Sequence, residues 1–144
     1  QLIALPNFGH DFDGKVTHKV HVVWKDEERD LALLAPDTAD DAFITWYQRG
    51  PVPDAGAEVR GVLILPTEDS IAVPAFGTFY GEGDKMLWSS QMVGPGSSGS
   101  CLLDDQDRVF GIVTASGTWG REGSNPANAP RAAVSVRIPE KDKF

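Results

Sequence analysis

One cysteine, Cys101, stands in the whole chain, so no internal disulfide can form. That scarcity fits a reducing compartment and favours the cytoplasm. Cations are also few: 13 Lys and Arg face 21 Asp and Glu, a formal net charge of −8. Nucleic acid and anionic membranes are therefore poor partners, because phosphate binding needs clustered Lys and Arg. No apolar run approaches the ~18 residues of a membrane helix, and no signal peptide is expected. Phosphate-loop and dinucleotide motifs are absent, as are internal repeats and heptads, so no cofactor is expected. Only three histidines occur, at positions 10, 18 and 21. His18 and His21 are three apart on a strand-like segment, which puts them on opposite faces. No metal site is expected.

What remains is strand-forming sequence cut by turns. In KVTHKVHVVW (15–24), Val16, His18, Val20, Val22 and Trp24 share one face, and Lys15, Thr17, Lys19 and His21 the other. That alternation predicts a half-buried strand, with His18 packed and His21 solvated. Segments 31–35, 57–65, 71–80, 86–93, 108–116 and 131–138 read as further strands. Glycine and proline-rich or acidic turns such as GPVPDAG, GEGD and DDQD separate them. The acid-rich runs DEERD and DDQD read as solvated turns. DTADDAFITWYQ (37–48) is the best helix candidate, with Thr38 or Asp40 as N-cap, although a strand is the other reading. Many short strands at regular spacing predict a β-sandwich or a pair of barrels.

One stretch suggests chemistry. In GPGSSGSC (94–101), glycines flank Ser98. Covalent catalysis needs a hydroxyl on a tight turn, a neighbouring base, and N–H donors aimed at the developing oxyanion. The glycines permit backbone shapes that a side chain forbids. Ser98 would project outward, and the amides of Gly96 and Ser98 would converge on one oxygen. Taken alone, the stretch reads equally well as a Gly/Ser loop joining two strands. Cys101, next to it, reads as a small buried thiol.

The longer stretch VGPGSSGSCLLDDQDRVFGIVTAS resembles the nucleophile region of chymotrypsin-like serine peptidases. Gly96, Ser98, Gly99, Ser100, Leu102, Leu103, Gly111, Ile112 and Val113 occupy matching positions. Cys101 replaces the proline that many members carry there. DLALL, from Asp30 to Leu34, resembles the segment that bears the family's acid. By itself Asp30 reads as one more acid of the DEERD turn. The resemblance, over roughly residues 15 to 138, implies an all-β fold of two six-stranded antiparallel Greek-key barrels. Residues 1–50 would hold the end of the first barrel and residues 51–144 the second. It implies Ser98 as nucleophile, Asp30 as the orienting acid, and Gly96 and Ser98 as the oxyanion hole.

The implied base must precede Asp30, and two alignments stay open. In one, His10 is the base. In the other, Asp13 and Gly14 form the turn that follows the histidine strand, and the base precedes Gln1. Either way the first barrel is expected to be incomplete at its N-terminus, with a companion N-terminal fragment as one source of the missing strands. The resemblance also places a substrate pocket at Met92, Val93, Thr114, Ala115 and Ser116, closed by a later strand near Ala133 to Val136. No acid stands at Met92, which argues against Lys or Arg before the cleaved bond. No histidine stands at Val113, which argues against Glu or Gln. A small or medium apolar residue is expected.

The expected activity is a serine endopeptidase acting on polypeptide through an acyl-enzyme. The wording fits bacterial, phage and positive-strand RNA virus relatives, the last implying polyprotein processing. The alternative is an inactive peptidase-like barrel that binds a peptide strand or serves in assembly. A third reading is an unrelated sandwich, with Asp30 and Ser98 far apart.

Overall fold

Alternating β-branched and polar residues bounded by glycine turns favour strands, and the computed structural model shows nine of them among its described residues. It describes residues 2–4, 18–37, 47–64, 72–118 and 131–140. His10, the His18 side chain and nearly all of the helix candidate at 37–48 lie outside them. No helix occurs among the described residues.

Three strands make a small antiparallel sheet: β1 (Leu2–Ala4), β2 (His18–Asp26) and β3 (Leu31–Pro36), in the order β1-β2-β3. Six more close into a barrel: β4 (Glu58–Ile64), β5 (Ala72–Gly83), β6 (Met86–Ser89), β7 (Cys101–Leu103), β8 (Val109–Thr118) and β9 (Arg131–Arg137). The barrel order is β4-β5-β6-β9-β8-β7, with every neighbour antiparallel. It closes through Arg60 of β4 opposite Leu103 of β7.

The barrel interior holds Val59, Phe79, Leu87, Leu102 and Phe110, with Val52 packed against them. Phe79 and Phe110 meet edge to face, centroids 5.6 Å apart, an arrangement that adds to area burial. Leu87 pairs with Ser135 and Ser89 with Ala133 across β6 and β9, so both serines share the inward face with Leu87. Both are fully buried. At Gly77 of β5 a Cβ would lie 2.4 Å from the Gln91 amide nitrogen. The missing side chain lets the segment after β6 lie directly on β5 on its way to the serine turn.

Three expectations need correction. Val22 does not share a buried face with Trp24: it is 45% exposed. The β2–β3 register shifts between Val22 and Trp24, and such a bulge breaks the period-two pattern. The strand expected at 86–93 ends at Ser89, where the chain leaves the ladder. The DDQD turn is not wholly solvated. Asp104 is buried and accepts from the amides of Gln106 and Arg108 and from Arg108 Nε, each within 2.9 Å.

Candidate functional site

GPGSSGS folds as two consecutive turns sharing Ser97. Ser97 N donates to Gly94 O (3.0 Å), and Gly96, third in that turn, has φ +92°. Pro95 second and glycine third is the signature of a type II turn. Ser100 N then donates to Ser97 O (3.1 Å), with Gly99 third at φ +90°. The Ser97 side chain turns inward, 1% exposed, and its hydroxyl accepts from the Gly94 amide at 3.1 Å. Ser98, at the corner of the second turn, is left exposed. Gly99 N to Val113 O (2.7 Å) and Val113 N to Ser100 O (2.9 Å) pin the turn to β8. Among the described residues the Gly96 and Ser98 amides donate to no acceptor.

The next residue of β8 is a bulge. Val113 faces Ser135 and Ala115 faces Val134, so Thr114 is the extra residue of the ladder. A bulged residue is released from strand pairing. Thr114 uses that freedom in two directions. Its carbonyl accepts from Ser98 Oγ at 3.3 Å, and its hydroxyl donates to Asp30 Oδ2 at 2.6 Å.

Asp30 reaches this point from the small sheet. It ends the tight turn between β2 and β3, where Asp26 Oδ1 accepts from the Arg29 amide and Asp26 Oδ2 pairs with Arg29 Nε. Its φ is +56°, a conformation that aspartate adopts more readily than most residues. Leu31 and Leu33 of β3, Trp24 of β2, and Ile112 and Ile138 line a cavity of about 180 Å³ between sheet and barrel. This apolar seam places the turn beside β8.

Asp30 and Ser98, 68 positions apart, therefore meet on opposite sides of one threonine. Thr114, expected as a pocket residue, forms the bridge. The third partner is not among these contacts. His10 lies outside the described residues. His21 is exposed as expected, with Nδ1 2.9 Å from Asp37 Oδ1.

A cleft of about 360 Å³ opens against Ser98, lined among others by Val93, Ala115 and Ser116, all three expected there. Met92 instead lines the adjoining cleft of about 280 Å³, with Gln91, and is 68% exposed. Both clefts share Val93, Ser116 and Arg131. Arg131 was not among the expected pocket residues, which began two positions later on β9. Its place at the start of a strand, directly after the sequence GREGSNPANAP, was the only signal available. Burial pushes the Cys101 thiol above its ordinary pKa, which suits an inert side chain. Compared with known proteins, the chain matches no family model and no curated sequence.

Proposed function

We propose that the protein is a serine endopeptidase domain of the chymotrypsin-like type, with the small sheet belonging to the first of two barrels and β4–β9 forming the second. The apposition of Asp30 and Ser98 across Thr114 carries this reading. It joins the two motifs that resemble the family's acid and nucleophile regions.

In the proposed reaction Ser98 Oγ attacks the carbonyl carbon of the substrate. A histidine takes the hydroxyl proton and later delivers it to the leaving amine. That base is His10, or a histidine preceding Gln1 in a longer chain. Asp30 orients the imidazole and stabilises its charged form. The amides of Gly96 and Ser98, which lack other acceptors among the described residues, hold the oxyanion. Water then attacks the ester, releasing the acid product and restoring the Ser98 hydroxyl. Polyprotein processing is the setting that the viral resemblance suggests.

A second reading has one observation in its favour. The Ser98 hydroxyl donates to the Thr114 carbonyl, which leaves its proton engaged without a base. A barrel that binds a peptide strand without cleaving it would need nothing more.

Labelling with a fluorophosphonate, located by mass spectrometry with Ser98→Ala as control, separates the two. Modification confined to Ser98 is expected, and its loss in His10→Ala would assign the base to His10. A folded protein that stays unlabelled both as this chain and in a longer chain carrying a histidine before Gln1 overturns the peptidase reading in favour of the binding module.

A further inference from the structure

The described arginines differ in how they are satisfied. Arg29 pairs with Asp26, Arg60 with Asp107, Arg108 with Asp104 and Arg137 with Glu82. Arg49 donates to the Pro139 carbonyl. Arg131 alone, among these described residues, rests on a neutral hydroxyl: its Nη2 donates to Ser116 Oγ at 3.0 Å. In a chain with a net charge of −8, an arginine that, like Arg49, pairs with no carboxylate among the described residues is conspicuous. It is also placed where a ligand would meet it, lining the cleft against Ser98 and the cleft beside it.

The surroundings suit an anion. Arg131 opens β9 opposite Thr118 of β8, and Ser116 sits two positions back on β8. The Ser116 contact holds one N–H and so orients the group. A guanidinium carries five N–H donors in a rigid fork, so enough remain to grip both oxygens of a carboxylate. At about 360 Å³ the cleft has room for one substrate side chain. The apolar residue expected from sequence would leave the free N–H groups of Arg131 facing it without a charged partner.

We propose that this cleft takes an acidic side chain, Asp or Glu, from the residue before the cleaved bond, with Arg131 as its counter-ion and specificity-determining residue. The assignment rests on the peptidase reading of Ser98. Hydrogen bonds to charged groups carry enough energy for a roughly ten- to hundredfold preference over a neutral side chain.

The test uses peptidyl diphenyl phosphonates that differ only in that residue: Glu, Asp, Leu or Lys. Rates of Ser98 modification are followed by intact mass. The acidic probes are expected to react at least about tenfold faster than Leu or Lys. Arg131→Gln should bring the Glu rate down to the Leu rate, and Arg131→Glu should turn the preference toward Lys. Circular dichroism checks that both variants fold. If Ser98 is modified but Leu matches Glu, the acidic pocket is wrong and the peptidase reading stands. If no probe modifies Ser98, either in this chain or in a longer chain carrying a histidine before Gln1, the peptidase reading fails, and binding to Ser98→Ala protein decides the pocket. There, a peptide amide ending in Glu should bind tighter than its Gln twin, and Arg131→Gln should remove the difference. Equal binding of the two overturns the carboxylate site.

Discussion

Thr114 shows how much one residue can settle. Its hydroxyl spends its proton on Asp30, and its carbonyl receives that of Ser98. Removing the hydroxyl frees the Asp30 carboxylate to turn in its exposed hairpin. Thr114→Val keeps the shape and deletes the donor. A hydrogen bond to an ionised acceptor contributes roughly 1.5–3 kcal/mol, less where water competes. Thr114→Val is expected to slow fluorophosphonate labelling of Ser98 about tenfold while the urea midpoint changes little. Thr114→Ser should restore the rate. A purely structural threonine would give the opposite pattern, with the midpoint moving and the rate following it. Ser98 and Asp30 were legible as motif residues. Thr114 was legible only as a pocket residue and not as a bridge, because the role of a bulged residue depends on the register of two strands far apart in sequence.

At the scale of elements, the β7–β8 hairpin carries a definite electrostatic expectation. Burial pushes the Asp104 carboxyl up, but the Arg108 and Gln106 amides and the Arg108 guanidinium together outweigh it and hold its pKa below the ordinary aspartate value. A group with a depressed folded pKa adds stability that is fully present above the unfolded value. That stability is lost as pH falls through the folded value. Asp104→Ala should therefore destabilise the protein by roughly 1–3 kcal/mol near neutrality, by leaving its part-buried donors unpaired. The gap to wild type should narrow below about pH 4. Urea unfolding at pH 7 and pH 3 measures both. A constant gap would mean that Asp104 acts through packing alone. The hairpin also shows where reading by pattern fails. DDQD looks like any solvated acidic turn, and burial of its first acid depends on Arg108 folding back over it. The bulge at Val22/Trp24 is similar: alternation locates β2 but does not count the extra residue that turns Val22 outward.

For the whole molecule, closure is the event that matters. β4 and β7 meet through a single register pair, Arg60 with Leu103, beside the fully buried Leu102. Leu103→Ala would open a cavity at that seam, and buried Leu→Ala changes cost about 2–5 kcal/mol. A fall in thermal midpoint is expected together with slower Ser98 labelling, because β7 starts directly after the serine turn. Loss of stability with the labelling rate intact would show that the turn is held by β8 alone. Most strand positions, the DLALL and GPGSSGS segments, and the glycines of the double turn were legible in the sequence itself. Alternation and left-handed backbone are local properties, written in neighbouring residues. Three things were decided only by tertiary structure: six strands closing as a ring, Asp30 meeting Ser98 across Thr114, and Arg131 entering the cleft beside that serine. Each depends on strand order and register between distant segments, and no local pattern encodes them.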